Sequence, residues 1–196
     1  MNVVNIGYGS TNYYAIYCQN KYLLIDVGLP GTFGMMKNQL KKCGINLKDI
    51  HHLIITHFHP DHCGIAQEIQ SSGVQIVISK TQLDFLESAN KSMKKYPEYK
   101  EIIVNPKNIL NENNKNTFFE KLGIPGYILH TPGHSDDSIS IVIEGLGIFT
   151  GDLPLLYHVF SESDEKIELS WSKIRSTNEK KVFPGHGNSI ELNSLS

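Results

Sequence analysis

The segment THFHPDH, residues 56–62, constrains what this chain can fold into more than any other stretch. It places three histidines and one aspartate in seven positions, directly after the apolar run LIIT, which is typical of a buried strand. A proline follows His59 and favours an extended backbone there, and side chains two apart on extended backbone point the same way. His57 and His59 can therefore share one divalent metal ion, while Asp61 and His62, at the turn into a helix, can bind a second.

Further candidate ligands follow three later strand-like runs. His134 stands in TPGHSDDS, Asp152 in FTGDLP and His186 in FPGHGN, each beside a small residue that lets the backbone approach a crowded site. The seven candidates comprise five imidazoles and two carboxylates, enough for two metal ions with a carboxylate shared between them. This set leaves coordination positions open for water.

Composition indicates a single domain with a nearly balanced charge. A chain of 196 residues that is 40% hydrophobic can bury one core, so we expect one domain over residues 1–196. Eighteen Lys and Arg residues against twenty Asp and Glu residues give a formal charge of −2, with no long run of one sign. The charge balance therefore predicts neither nucleic acid nor a membrane as a partner, and the partner we expect is a small-molecule substrate. The oligomeric state stays open.

Cysteine usage and the amino terminus predict a cytoplasmic protein. Cys18, Cys43 and Cys63 are odd in number and widely spaced, which favours reduced thiols over a disulfide framework. The start of the chain, MNVVNIGYGS, lacks the basic and apolar regions of a signal peptide. No later apolar run approaches the roughly 20 residues that span a bilayer.

The order of hydrophobic patterns predicts an α/β fold with two sheets flanked by helices. We predict a hairpin for YYAIYC and YLLIDVG, a helix for PGTFGMMKNQLKKCG, strands for HLIIT and VQIVIS, and helices for IAQEIQSSG and TQLDFLESANKSMKKY. The pattern does not define the fold of residues 97–116. We then predict strands for GYILHTPG, SISIVIEG and GIFTGD, a helix around EKIELSWSKI and a strand for KKVF. This order favours two flanked sheets over one doubly wound parallel sheet.

These residues resemble the metallo-β-lactamase superfamily. Its motif His-x-His-x-Asp-His stands at residues 57–62, the three later candidates match its later His, Asp and His in order, and LLIDVGL around Asp26 resembles its early strand motif. The match runs from about residue 22 to residue 188. The resemblance implies an αββα sandwich of two mixed β-sheets flanked by helices, with the site at one edge between the sheets.

The resemblance also implies a role for each candidate. The first metal ion would be held by His57, His59 and His134, the second by Asp61, His62 and His186, and Asp152 would bridge the two. Asp26 matches a family position that supports a ligand histidine. Asp61 would in addition orient the nucleophile, and it is the predicted catalytic residue.

A site of this kind predicts a metal-dependent hydrolase. Two divalent ions about 3.5 to 4 Å apart lower the pKa of a bridging water, so a metal-bridged hydroxide can attack a thioester, a lactone or a related ester-like bond. We expect two zinc ions, while histidine and carboxylate ligands also accept iron and manganese. Asp152 and the Asp61–His62 pair resemble the glyoxalase II and lactonase branches, whereas true β-lactamases are normally exported.

The sequence departs from each of these branches. Ten residues follow His186, where glyoxalase II carries a further helical substrate-binding region, and this argues against a full glutathione-thioester site. Lactonases place a tyrosine three positions after the bridging aspartate, where Leu155 stands, with Tyr157 two residues further on. Ile65 occupies a position where many relatives have a second glycine.

Two other functions stay open. Persulfide dioxygenases resemble the same motif but use a single iron at the first site, and nothing in the sequence excludes an oxidoreductase of that kind. Diiron oxidoreductases of the superfamily carry a glutamate at the position of His59, which argues against them. The third possibility is a binding or sensory protein that keeps its metals without efficient turnover.

Several other polar residues receive no ligand role. They are His51, His52, His130 and His158, each of which is predicted to be an ordinary surface or core histidine. Cys63 is predicted to be a small buried residue at a helix start. Asp136 and Asp137 are predicted to cap or form the turn after His134.

Overall fold

The computed structural model describes residues 2–112, 117–155 and 164–192, which contain eleven strands and six α-helices. The strands are β1 Asn2–Asn5, β2 Tyr14–Cys18, β3 Lys21–Ile25, β4 Ile50–Ile54, β5 Gln75–Ser79, β6 Ile109–Leu110, β7 Gly126–His130, β8 Ile139–Ile143, β9 Gly147–Gly151, β10 Lys181–Pro184 and β11 Ile190–Glu191. The helices are α1 Phe33–Lys42, α2 Pro60–Cys63, α3 Ala66–Ser71, α4 Lys80–Met93, α5 Thr117–Lys121 and α6 Asp164–Arg175. None of these helices has the length and apolar character needed to cross a membrane.

The strands form two mixed sheets. The first has the order β1-β2-β3-β4-β5-β6, and the second has the order β11-β10-β9-β8-β7. In the first sheet, β1 to β3 are antiparallel neighbours, while β3 to β6 are parallel because helices return the chain between them. In the second sheet, β7, β8 and β9 alternate in direction, whereas β10 is parallel to β9 and antiparallel to β11.

Three apolar clusters separate four layers. Along β3, Leu23 and Ile25 belong to the cluster between the two sheets, while Leu24 belongs to the cluster beneath the helices of the first sheet. Trp171 of α6 shares the third cluster with Ile148 of the second sheet. Each such buried side chain contributes roughly 1.5 to 3 kcal/mol to folding. The layers therefore run helix, sheet, sheet, helix, and the predicted αββα sandwich is confirmed.

The predicted hairpin, the longer strands and the longer helices all form where the hydrophobic patterns placed them. The elements β1, β6, β11 and α5 were not predicted, because none of them shows a clear hydrophobic periodicity. Cys63 is buried as predicted, but it ends α2 rather than starting a helix.

Residues 97–116, whose fold the sequence left undefined, are described as far as residue 112. Ile102 is buried in the cluster beneath the helices of the first sheet, and the Asn90 side chain of α4 bonds both its N–H and its carbonyl. The strand β6 then pairs with β5. The described part of this region therefore packs on the helical side of the first sheet and adds β6 to the edge of that sheet.

Candidate metal centre

Four loops meet at one edge of the sandwich, each at the carboxyl end of a strand. The loop after β4 carries residues 57–62, and those after β7, β9 and β10 carry His134, Asp152 and His186. β7, β9 and β10 run in the same direction, so their carboxyl ends share one edge of the second sheet. The first N–H of β8 donates to the Thr56 carbonyl over 2.9 Å and joins this edge to the end of β4. The topology thus brings all seven candidate ligands together.

Among the described residues, six of the seven candidates form two clusters of three, and the seventh, Asp152, forms a further cluster with His57 and His62. The first group consists of His57, His59 and His134, and the second group consists of Asp61, His62 and His186. Within each group, one ligand atom from every member lies within 4.8 Å of the others. The closest approach in the first group is 2.8 Å, between His59 Nδ1 and His134 Nε2. In the second group, Asp61 Oδ2 lies 3.6 Å from His62 Nε2 and 3.4 Å from His186 Nε2.

The seventh candidate, Asp152, lies between the two groups. Its Oδ2 is 3.8 Å from His57 Nε2 and 3.5 Å from His134 Nε2 on one side, and 3.3 Å from His186 Nε2 on the other. Its Oδ1 is 3.2 Å from His62 Nε2. Asp152 is thus the candidate whose carboxylate approaches histidines of both groups.

Three buried atoms at this centre lack any hydrogen-bond partner among the described residues: His57 Nε2, His62 Nε2 and Asp152 Oδ1. Buried polar atoms are normally satisfied, so three together at one point require an explanation. His62 Nε2 and Asp152 Oδ1 are close, yet they are not aligned as a hydrogen bond. Imidazole nitrogens and a carboxylate oxygen converging on one space are the donors that divalent transition metals take. The donor set therefore fits divalent metal ions.

In the first group, burial favours the neutral imidazoles of His57 and His134. Burial, and then the neighbouring histidines, hold the pKa of His57 well below its ordinary value. Burial also lowers the pKa of His134, in spite of the nearby Asp152 carboxylate. A neutral imidazole has a free lone pair, which is the form that binds a metal ion.

In the second group, the neighbouring carboxylates outweigh the effect of burial on the His62 pKa. Burial opposes a charge on His62, but the Asp26 and Asp152 carboxylates together outweigh it and raise the pKa of His62 to about 10. Burial likewise opposes the charge of Asp152, whose pKa is nevertheless lowered by His62 and the other histidines. These carboxylates therefore favour the charged imidazolium form of His62, and a metal ion at Nε2 would compete with that proton.

Asp26 supports a histidine of each group. It is 2% exposed and has a positive φ of 61°, a conformation that aspartate and asparagine tolerate better than most residues. Its carboxylate accepts hydrogen bonds from Thr56 N–H (2.7 Å), the Thr56 hydroxyl (2.7 Å) and His62 Nδ1 (2.8 Å). The Thr56 hydroxyl in turn lies 3.1 Å from His57 Nδ1. A proton on each Nδ1 would leave Nε2 of both histidines free for a metal ion.

Two further side chains hold the ligand loop and were missed in the sequence. Asp137 lies in the predicted turn, but its buried carboxylate also accepts the Phe58 N–H over 2.6 Å. The amide of Gln82, which is fully buried in α4, donates to the carbonyls of Ile55 (3.0 Å) and Thr56 (3.2 Å). Neither partner is near in sequence, so no local signal identified them. Asp136, by contrast, forms an exposed ion pair with Lys166.

Two glycines allow the loops to approach the centre, as the sequence predicted. A Cβ at Gly185 would lie 2.4 Å from Asp152 Oδ1 and 2.7 Å from His62 Cε1. A Cβ at Gly151 would lie 2.6 Å from the Thr56 hydroxyl, and its φ of +55° is unfavourable for a side chain. Any larger residue at these positions would displace a candidate ligand or its support.

A cleft of about 550 Å³ opens beside the centre. Its floor includes His134, Asp152 and His186, and its walls include apolar residues from the second sheet and the loop after β9: Leu153, Leu155, Val182 and Ile190. None of the described residues between 97 and 112 lines it. Tyr157 and His158 lie outside the described residues. The metal-type clusters within the described ranges do not include His51, His52 or His130.

Sequence relatives agree with this description. Residues 6–186 match the family model described as Metallo-beta-lactamase superfamily. The chain is 30% identical to a probable metallo-hydrolase from Methanocaldococcus jannaschii, over 92% of this chain and 89% of that protein. It is 30% identical to a lactamase-like protein from Pestalotiopsis microspora and 27% identical to the beta-lactamase-like protein 2 homolog of Drosophila melanogaster. Both matches cover 92% of this chain but only 50% and 60% of those proteins.

Solved structures share the fold. The metallo-beta-lactamase GOB-18 from Elizabethkingia meningoseptica superposes with a TM-score of 0.74 at 22% identity, over 94% of this chain and 74% of that one. A metallo-beta-lactamase family protein from Thermus thermophilus gives a TM-score of 0.74 at 20% identity, over 98% and 75%. The family match over nearly the whole chain, with a relative at 30% identity and the clustered histidines and aspartates, shows that this chain belongs to the metallo-beta-lactamase superfamily.

Proposed function

We propose that this chain, as one domain over residues 1–196, is a hydrolase that uses two divalent metal ions to cleave a thioester, a lactone or a related ester-like bond of a small molecule. The observation that carries the proposal is the set of three buried, unpartnered atoms on His57, His62 and Asp152. They lie where the two groups of three ligands adjoin, and superfamily membership makes metal-assisted hydrolysis the natural chemistry for them.

The proposed ligand assignment follows the two groups. The first ion would be held by His57, His59 and His134, the second by Asp61, His62 and His186, with Asp152 shared. We propose zinc at both positions, because imidazole and carboxylate donors in open sites of this kind suit it. When bound, the two ions would supply a water with a lowered pKa and Lewis acidity toward a carbonyl oxygen.

The protein's own residues would position the reactants. Asp61 is proposed to accept a hydrogen bond from the attacking water and so to orient it toward the carbonyl carbon. Its side chain is 28% exposed, so water can reach its carboxylate. Asp26 and Thr56 would hold the imidazoles of His57 and His62 in the required tautomer. No serine or cysteine nucleophile is required by this arrangement.

The cleft supports a neutral substrate with an apolar part. Its described lining is mainly apolar and contains no lysine or arginine. A charged thiol carrier such as glutathione would meet no complementary cation on these described walls, whereas an acyl chain would be desolvated by Leu153, Leu155 and Ile190. We therefore propose that simple acyl thioesters and lactones are better substrates than glutathione thioesters.

The test is metal content per chain by elemental analysis of protein purified without added metal or chelator, followed by a panel of thioesters, lactones and esters. Oxygen uptake on glutathione persulfide is measured in parallel. Near two equivalents of zinc, turnover on the panel and no oxygen uptake would support the proposal. One equivalent of iron with oxygen uptake would refute it and identify a dioxygenase. Two metal equivalents without turnover on any member of the panel would favour a binding protein.

A further inference from the structure

The loop between β1 and β2 crosses the sandwich edge and contacts the metal centre. Its residues Gly9 to Asn12, here named the amino-terminal loop, belong to the sequence YGSTN, which no motif drew attention to. Two of its members bond directly to candidate ligands of the second group. The Thr11 hydroxyl donates to Asp61 Oδ2 over 3.0 Å, and His186 Nδ1 donates to the Ser10 carbonyl over 2.8 Å.

The amino-terminal loop is itself fixed to the loop after β10. Thr11 and His186 form an isolated antiparallel bridge, and Asn12 N–H donates to the Gly185 carbonyl over 2.7 Å. The Asn12 side-chain amide donates to the carbonyls of Pro184 (3.0 Å) and Gly187 (2.8 Å). These bonds leave little freedom for the backbone at Thr11, which is only 5% exposed. Its hydroxyl is therefore held in place for Asp61.

The contacts are confined to the second group and to its exposed members. The side chains of Asp61 and His186 are 28% and 40% exposed, whereas that of His62 is fully buried and is held by Asp26. In the described contacts, no residue of the amino-terminal loop bonds to a histidine of the first group. An exposed carboxylate rotates freely unless a partner fixes it, and a partner that fixes a ligand raises the affinity for the metal.

We infer that Thr11 is a positioning residue that sets the affinity of the second metal ion and leaves the first unaffected. The inference rests on the proposed function, since it takes Asp61 and His186 as ligands of that ion. Thr11 touches neither substrate nor reacting atoms; it acts through the Asp61 carboxylate. The amino-terminal loop thereby supports only the second metal position. Removing the Thr11 hydroxyl should therefore lower the affinity of the second metal ion and not that of the first.

The test compares Thr11→Val, which keeps the shape and β-branching but removes the hydroxyl, with Thr11→Ser, which restores the hydroxyl. Thr131→Val is the matched control, because Thr131 is fully buried and its hydroxyl bonds to Ser140 rather than to a candidate ligand. The affinity of each zinc equivalent is measured by competition with a calibrated chelator. Cobalt titration followed by visible absorption gives an independent order of filling. Thermal unfolding of the metal-free proteins reports any effect on the fold.

In Thr11→Val we expect the second equivalent to bind about tenfold to 100-fold more weakly, with the first unchanged, and Thr11→Ser to recover most of the loss. Equal affinities for both equivalents in Thr11→Val and the unaltered chain would overturn the inference. The inference would also be overturned if Thr11→Val bound both metal equivalents more weakly and melted at a lower temperature than Thr131→Val, because Thr11 would then act only through the fold. If the unaltered chain binds fewer than two equivalents, the proposed function fails first, and that result is distinguishable from the others.

Discussion

Replacing Asp26 with asparagine tests how one buried carboxylate supports both metal positions. Asparagine has the same shape and also tolerates the positive φ of 61° at this position, so the backbone need not change. Its amide nitrogen would replace an oxygen that accepts hydrogen bonds from the Thr56 hydroxyl and from His62 Nδ1. His62 would then accept at Nδ1 and carry its proton on Nε2, which is the atom that faces Asp152 and the candidate metal position.

The magnitude follows from the lost contact. A hydrogen bond to a charged group contributes about 1.5 to 3 kcal/mol, which corresponds to a roughly 10- to 100-fold change in affinity. We expect Asp26→Asn to weaken the second metal equivalent by this factor. The first equivalent should weaken less, since His57 reaches Asp26 only through the 3.1 Å contact with Thr56.

The assay is a zinc competition titration that resolves the two equivalents, with far-ultraviolet circular dichroism as a check on the fold. Thr56→Val is the informative companion, because it removes the link to His57 while leaving the 2.8 Å contact between Asp26 and His62. It should weaken mainly the first equivalent. Unchanged affinity for both equivalents in Asp26→Asn, with an intact fold, would refute the reasoning.

Three other substitutions give separate checks. His59→Ala should lower metal content and abolish turnover while the fold survives, because the site lies at the edge of the sandwich. The control is Cys63→Ser, which should keep the metal content, since the Cys63 Sγ contacts the His59 carbonyl and Met93 rather than a candidate ligand atom. Full turnover of His59→Ala would contradict the metal mechanism. Gly185→Ala should reduce metal content at least about tenfold at limiting zinc, because the new Cβ would lie 2.4 Å from Asp152 Oδ1; elemental analysis after dialysis decides this. Burial, and then the charge of His51, lower the pKa of His52 from 6.5 to about 4. The unfolded chain therefore takes up this proton first, so stability is fully present above pH 6.5 and is lost as the pH falls toward 4. After allowance for solvent screening, we expect the free energy of unfolding in urea to fall by about 1 to 2 kcal/mol more in the unaltered chain than in His52→Phe between pH 7 and about 4.5. Identical pH profiles of the two proteins would disprove the lowered pKa of His52.

Local signals predicted much of the fold and of the site. Apolar runs of five or six residues indicated most of the longer strands, and helical spacing indicated α1, α4 and α6, because side-chain periodicity is a property of neighbouring residues. The motif at residues 57–62 was visible for the same reason. The short strands β1, β6 and β11 were not predicted, since pairing with a neighbouring strand rather than a pattern of their own defines them.

The supporting contacts show where sequence reasoning ends. Asp137 bonds to the ligand loop across 79 positions, Thr11 reaches Asp61 across 50, and Ser10 reaches His186 across 176. In each case the residue has an ordinary turn or strand interpretation by itself. Only the strand order within the first sheet and the stacking of the two sheets bring the partners within hydrogen-bonding distance.

The sequence by itself determined which side chains are available for metal chemistry and at which strand ends they stand, because those properties depend on residue type and local order. The tertiary structure decided how they are grouped. It placed Asp152 between two sets of three candidate ligands, left His57 Nε2 and His62 Nε2 without partners among the described residues, and linked Asp26 to both sets. The physical reason is that the position of a ligand atom depends on the sheet order and on hydrogen bonds between distant segments, neither of which is encoded in any single stretch of the chain.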